Sequence, residues 1–354
     1  MSTLILPVAG QSSRFPNMRP KWLLTMPSGL LMIEQAVQGL DLSGYSRVIM
    51  VCLKEHLDSY VSLKKIFISL KKNIRADIEI CVLDQPTSCH AETVFECLIR
   101  MEVEGPFYLK DCDNYFKQPN IIGNKISVID LNNVELIDAK NKSYVACDEN
   151  GNINNVVEKN VISNLFCCGG YSFSDSSQFL HHYEKIVDTS KSGEIYISHV
   201  IYSMLLSGIK FETSQSSDYI DFGTLKEYRD YCAQNITIFC DVDGVLLENG
   251  SKFGEVGWAS SAIEENVKVL SDLQREGRIY LVVTTSRPDD EECYVRKELK
   301  KHELSVDKFI GGLPHSKRVL INDFSPTNPY PTAISINLQR NSIELRQMLE
   351  HLTA

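Results

Sequence analysis

Two sets of carboxylates and one small-residue turn could carry chemistry in this chain. The turn is Gly10-Gln11-Ser12-Ser13-Arg14, which closes an apolar run at residues 4–8 and is followed by Lys21. Small side chains leave backbone N–H groups free to face an anion, and Arg14 and Lys21 add two cations, so the stretch can cradle a phosphate. The first carboxylate set is Asp111 and Asp113, in Lys110-Asp111-Cys112-Asp113-Asn114, joined by Asp221 in Tyr219-Ile220-Asp221-Phe222-Gly223-Thr224. Both segments follow apolar residues, and Mg2+ is usually held by one or two carboxylates together with substrate phosphates. Asp111, Asp113 and Asp221 are therefore candidate Mg2+ ligands, and with the cationic turn they suit phosphoryl or nucleotidyl transfer. The second set, Asp241-Val242-Asp243-Gly244, ends another apolar strand. There Asp241 could attack phosphorus or hold a metal, while Asp243 protonates the leaving oxygen and then activates water.

The elements that must position these residues can be read from the periodicity. Strands are expected at 4–8, 47–52, 78–83 and 106–109, and helices at 30–40, 56–70 and 90–101. This alternation argues for a parallel or mixed sheet covered by helices, with ligands at the carboxyl ends of the strands. Residues 120–175 break into short strands at 125–129, 143–148 and 153–158, and read as a more antiparallel lobe over one side of the site. Helices at 193–206 and 225–232 follow. Near Ala233-Gln234-Asn235 the pattern restarts, with strands expected at 236–240, 279–284, 318–321 and 333–336 and helices at 262–274 and 289–301. The expected domains are residues 1–232 and 236–354.

Composition narrows the function classes. The chain has 354 residues and a net charge of −10, which argues against nucleic acid or an anionic membrane surface as its main partner. Its 11 cysteines show neither zinc-ligand spacing nor a disulfide framework, so buried free thiols in a reducing, cytoplasmic setting are expected. Neither a signal peptide nor a membrane span is expected, since residues 1–3 carry no basic stretch and no long apolar run is present.

Taken in order, Ala9-Gly10, Ser13-Arg14-Phe15, Pro20-Lys21, Asp113-Asn114, Glu158-Lys159, Gly169-Gly170-Tyr171-Ser172-Phe173, Gly193-Glu194-Ile195-Tyr196 and Asp221-Phe222-Gly223-Thr224 resemble the sugar-phosphate nucleotidylyltransferases over residues 1–230. The resemblance implies a glycosyltransferase-A-type, Rossmann-like α/β domain. It further implies that Ala9, Gly10, Gln11, Ser12, Ser13 and Gln85 bind the nucleotide. Arg14 and Lys21 would act at its phosphates, and Glu158, Lys159, Gly170, Glu194 and Tyr196 would line the acceptor site. The first loop carries serines where the family has more glycine, and the 85–90 loop lacks the family's glycine. His90 reads as a substrate contact or as an ordinary first residue of a helix.

Residues 236–340 resemble the haloacid-dehalogenase-like phosphatases through Asp241-Val242-Asp243-Gly244, Thr284-Thr285-Ser286-Arg287, Lys317 and Asn322-Asp323. That resemblance implies a small α/β domain with minimal cap, with Asp241 as nucleophile, Asp243 as acid/base, Thr285 and Lys317 on phosphate, and Asp323 with Asp241 on Mg2+. Asn322 stands where the family often has an acid, which removes one negative charge. Arg287 reads as a phosphate contact or as a surface residue at a helix start.

The combined expectation is a Mg2+-dependent enzyme. It would make an NDP-sugar or NDP-polyol, CTP being favoured, from a nucleoside triphosphate and a phosphorylated sugar or polyol, with a phosphatase domain acting on an intermediate. The family context is bacterial capsule or surface polysaccharide synthesis. A homo-oligomer is compatible with the sequence. Two other readings stay open, a phosphatase whose first domain is a binding platform and a non-catalytic nucleotide-sugar sensor.

Overall fold

The computed structural model describes residues 2–16, 18–60, 63–71, 77–134, 139–189, 194–255, 257–322 and 333–353. The chain divides into two compact units, Met1–Tyr228 and Arg229–Ala354, so the division falls inside a helix rather than in a linker.

The first unit is built on β1 (Ser2–Pro7), β2 (Tyr45–Leu53), β3 (Asp77–Leu83), β4 (Phe107–Lys110), β5 (Asn114–Lys117), β6 (Lys125–Asp130), β7 (Ser143–Cys147), β8 (Ile153–Glu158), β9 (Leu165–Phe173), β10 (Glu212–Gln215) and β11 (Ser217–Asp221). Its helices are α1 (Met32–Val37), α2 (Lys54–Tyr60), α3 (Leu63–Leu70), α4 (His90–Arg100), α5 (Ser176–Thr189) and α6 (Ile197–Leu206), and α7 (Leu225–Ala233) begins in it and runs across the division. The main sheet runs β10-β6-β9-β4-β1-β2-β3, with the β7–β8 hairpin joined through β9. Strands β1 to β4 pair in parallel, whereas β9 runs antiparallel to both β4 and β6. The expected antiparallel lobe is therefore a continuation of the one sheet, inserted through β9.

Buried parallel strands must be apolar on both faces. β1 shows why the sequence complies. Ile5 joins Ile49, Val51, Phe107 and Leu109 in a layer closed by residues of α4, α5 and α6, such as Val94, Phe179 and Val200. Leu4 and Leu6 join Val48, Met50 and Cys52 in the other layer, with Trp22, Ile33 and Val37. After β1 the chain steps to β2 and β3 on one side, while β4 lies on the other. Such a reversal opens a crevice at the carboxyl ends of the adjoining strands. The 10–14 turn leaves β1 there, and Asp111 and Asp113 leave β4 there.

The second unit has a parallel three-stranded sheet, β12 (Ile236–Asp241), β13 (Ile279–Thr284) and β14 (Lys308–Ile310), in the order β12-β13-β14. It packs with α8 (Glu264–Arg275), α9 (Glu292–Lys300) and α10 (Leu345–Thr353) around Val242, Leu246, Val267, Leu270, Leu281 and Val283. The strands expected at 318–321 and 333–336 are not formed: both stretches lack ladder partners among the described residues, and Val319 and Ile321 are exposed. No described helix is long and apolar enough to cross a membrane.

Candidate active site

The turn after β1 is shaped by its serines. Ser12 adopts a positive φ of 53° and its carbonyl accepts the Phe15 amide at 2.8 Å, which curls the turn. The Ser12 hydroxyl accepts the backbone N–H of Lys21 at 2.9 Å, tying the turn to the short helix Lys21–Leu23. Trp22, buried in the core, anchors that helix and donates its indole N–H to His56 Nδ1 at 3.4 Å. Serine thus performs locally the turn-forming work that glycine does in a more glycine-rich loop. Ala9 is buried, Gly10, Gln11, Ser13 and Arg14 are exposed, and a Cβ on Gly10 would meet no protein atom within 4 Å. That open space beside the exposed amides is what an anion-binding turn requires.

At the end of β4 a buried lysine folds the acidic turn. Lys110 Nζ donates to Asn114 Oδ1 at 2.6 Å, to the Asn114 carbonyl at 3.0 Å and to the Asp111 carbonyl, and it lies 4.4 Å from the Phe116 ring. Burial pushes its pKa down. Asp113 Oδ2 accepts Lys21 Nζ at 2.6 Å. Burial alone would raise the Asp113 pKa, but Lys21, helped by Lys142 and Lys110, outweighs it and holds the carboxyl below its usual range. Burial likewise opposes the charge on Lys21, and Asp113 wins, raising the Lys21 pKa.

Asp221 reaches the same place from more than a hundred residues away. β11 pairs antiparallel with β5, setting Asp221 opposite Asn114, and the Phe222 amide donates to the Asp113 carbonyl at 2.8 Å. Thr224 and Glu227 form a reciprocal cap at the start of α7, which fixes the 221–224 turn. Lys142 Nζ donates to Asp221 Oδ2 and, at 2.8 Å, to Tyr219 Oη.

Lys142 is the residue that sequence reasoning missed. It lies in no motif, just before β7, and only the β7–β8 hairpin brings it in. The same hairpin end joins the Lys159 amide to the Lys142 carbonyl at 3.0 Å.

Asp113 and Asp221 both border Gly223, where a Cβ would lie 3.5 Å from Asp113 Oδ2 and 3.1 Å from Asp221 Oδ1. Two hard carboxylates flanking one gap fit Mg2+, which leaves its other positions to phosphates and water. Asp111, expected as a third ligand, does not join them. One of its oxygens is turned to His90 and the other lies against Gly169, and among the described residues no three His, Cys, Asp or Glu form a metal-holding cluster.

The expected acceptor residues form a second group. Glu158 Oε2 accepts the hydroxyls of Ser143 and, at 2.9 Å, Ser198. Lys159 donates to Tyr196 Oη at 2.6 Å, and Tyr196 donates to Glu194 at 2.5 Å. Gly170 departs from expectation. It is buried, and a Cβ there would lie 2.1 Å from Tyr108 Oη and 2.6 Å from Ser127 Oγ, so its lack of a side chain serves sheet packing. Gln85 is exposed on the loop before α4. Gly193 lies outside the described residues.

In the second unit Asp241 pairs with Arg318 at 3.1 Å, and burial, reinforced by Asp243, raises its pKa against the pull of Arg318. Asp243 is not placed as the expected acid/base. Arg287 Nε lies 3.2 and 3.1 Å from its two oxygens and Nη2 lies 2.8 Å from Oδ1. The Gly250 amide and the Thr285 hydroxyl fill what remains, at 3.3 and 3.4 Å. Thr285, expected on phosphate, is fully buried, and its hydroxyl also accepts the Arg287 amide at 3.0 Å. Arg287 is not a surface residue, since none of its side chain is exposed. It donates to the Trp258 carbonyl at 2.6 Å and to Ser260 Oγ at 2.7 Å. Lys317 is exposed, and Asp323 lies outside the described residues.

No protein-family model and no curated protein sequence matches the chain. Solved structures do. A nucleoside-diphosphate-sugar pyrophosphorylase from Vibrio cholerae RC9 is 21% identical, covering 65% of this chain and 99% of its own, with a TM-score of 0.54. A UDP-glucose pyrophosphorylase complexed with UDP-glucose is 17% identical over 66% of this chain and 97% of its own, with a TM-score of 0.51. The inositol-1-phosphate CTP transferase from T. maritima is 15% identical over 64% and 91%, with a TM-score of 0.50. None of these three covers more than two-thirds of the chain, and the haloacid-dehalogenase-like resemblance of the second unit gains no support from them. Over its N-terminal two-thirds, this chain has the α/β, Rossmann-like fold of the nucleotidylyltransferases.

Proposed function

We propose that the first unit transfers a nucleotidyl group from a nucleoside triphosphate to the phosphate of a phosphorylated sugar or polyol, releasing pyrophosphate. The observation that carries this reading is the meeting of Asp113 and Asp221, each with a lysine on it, beside the open 10–14 turn at the β1/β4 crevice. The turn's backbone amides and Arg14 receive the triphosphate. Lys21, held at Asp113, would pass its charge to the α-phosphate as the acceptor oxygen attacks in line. Glu158, Lys159, Glu194 and Tyr196 orient the acceptor. Catalysis is then positioning and charge neutralisation, with no covalent enzyme intermediate. Asp113 and Asp221 would hold a Mg2+ ion, whose charge neutralises the triphosphate when bound. CTP is the favoured nucleotide; the similar structures include both a CTP transferase and a UDP-glucose pyrophosphorylase, so the choice of base falls to the nucleotide screen below. A role in surface polysaccharide synthesis follows from the family resemblance.

The second unit enters this proposal as an accessory module, because Asp243 and Thr285 are committed to Arg287. Asp241→Asn separates the readings. It leaves pyrophosphate release intact here, and it abolishes activity if a phosphatase is the main function. The reading is tested by screening the four ribonucleoside triphosphates against a panel of sugar and polyol phosphates with Mg2+. At least one pair should release pyrophosphate, and silence across the whole panel contradicts the proposal.

Lys142 gives a second test. It bonds Asp221 and Tyr219 through a charge-assisted pair, so Lys142→Ala should lower kcat/KM about ten- to hundred-fold, the usual scale for such bonds. Steady-state kinetics with the best substrate pair reads it, and an unchanged kcat/KM removes Lys142 from the site.

A further inference from the structure

Asp111 has no place in the metal pair, yet the fold makes room for it. Its Oδ1 is buried, has no hydrogen bond among the described residues, and lies 3.5 Å from His90 Nε2. Its Oδ2 rests against Gly169, whose φ is +90°, and a Cβ there would lie 2.8 Å from that oxygen. The Asp111 amide is also held by the Gly169 carbonyl at 2.8 Å. A buried oxygen without a partner is costly, so an Asp kept in such a fitted niche calls for a role. Among the described residues His90 is the one ionisable neighbour that the oxygen faces at ion-pair distance, and about a third of its side chain stays exposed (32%).

The position of this pair points to what it meets. His90 opens α4, immediately after the 85–89 loop expected to face the base, and Asp111 lies two residues before Asp113 at the phosphates. The ribose is the part of a nucleotide that joins base to phosphates. Resting on the transferase reading above, we propose that His90 reads the ribose hydroxyls and that Asp111 is its positioning residue. A neutral imidazole offers one donor and one acceptor, which matches a hydroxyl, and a carboxylate on one ring nitrogen sets what the other presents. The 3.5 Å separation suits a site that tightens when ligand binds.

The test compares the preferred ribonucleoside triphosphate with its 2′-deoxy and 3′-deoxy analogues, using the full-length protein. In the wild type, kcat/KM for the ribonucleotide should exceed that for at least one deoxy analogue by about tenfold or more, because the analogue leaves a buried polar group unpaired. His90→Ala should bring that ratio close to one. Asp111→Leu should do the same although His90 is intact, and Asp111→Asn should retain part of the ratio. A purely structural role would lower both rates and leave the ratio unchanged, and that result overturns the proposal. A flat ratio in the wild type overturns it too. His90→Gln, which keeps a donor and an acceptor, serves if His90→Ala fails to fold, and it should retain more of the ratio than Asp111→Leu. If no triphosphate turns over with any acceptor, the transferase reading falls and takes this one with it. If turnover is present and the ratio is flat, this one alone falls.

Discussion

Asp113→Asn should lower pyrophosphate release by at least about 100-fold, the scale of losing one group that stabilises charge in a transition state. The substitution keeps the shape and one acceptor oxygen, so Lys21 can still find a partner at the former 2.6 Å contact. What disappears is the negative charge that holds Lys21 in place and would hold the cation with Asp221. Asp113 and Lys21 are both partly solvated, with side chains 24% and 30% exposed, so the stability change should stay near about 1 kcal/mol. The effect should therefore fall on kcat with the melting temperature almost unmoved. Lys21→Met should resemble it, and the double variant should be far less than additive, because the two residues act as one unit. Full additivity would mean that the ion pair is not part of the machinery.

Arg287→Met should destabilise the second unit by about 3–5 kcal/mol, the cost of breaking a buried ion pair from one side. The guanidinium has no solvent exposure and Asp243 little (18%), so removing the arginine strands a carboxylate with only the Gly250 amide and the Thr285 hydroxyl near it, and leaves the Trp258 carbonyl and Ser260 hydroxyl without their donor. Arg287→Met with Asp243→Leu removes both charges and should recover much of the loss. The chain has two tryptophans, Trp22 in the first unit and Trp258 beside Arg287. In a Trp22→Phe background, urea unfolding followed by fluorescence reports the second unit alone. A loss under about 1 kcal/mol would show that the Asp243 clamp contributes little.

Much of the first unit could be read in the sequence because its signals are local. The strands β1, β2 and β4 contain continuous apolar runs, and the acids that matter follow such runs. Asp113 and Asp221 were recognisable for that reason. Lys142 was not, because its position depends on a hairpin folding against β11, and an isolated lysine in a polar stretch carries no local mark. β9 was obscured by Cys167-Cys168-Gly169-Gly170, where glycines weaken the strand pattern and tertiary contacts decide. α5 was legible in principle, since Phe179, Leu180, Tyr183, Ile186 and Val187 repeat at helical spacing.

In the second unit the same local reading went astray. Asp241-Val242-Asp243 marks the strand end correctly, but the state of Asp243 is set by Arg287, 44 positions away in sequence. Arginine is rarely found fully buried, so the surface reading followed the usual pattern. The apolar run at 318–321 has the composition of a strand and no ladder partner among the described residues, which periodicity alone cannot reveal.

In the proposed reaction one nucleotidyl group moves to one acceptor phosphate. Phosphorus NMR of the complete reaction, with triphosphate, phosphorylated acceptor and Mg2+, tests it most directly. Pyrophosphate and a new diphosphate-linked product should appear in equal amounts, and neither should form when any one component is left out. Hydrolysis of the triphosphate without acceptor, or inorganic phosphate released from the acceptor with no diphosphate product, would contradict it.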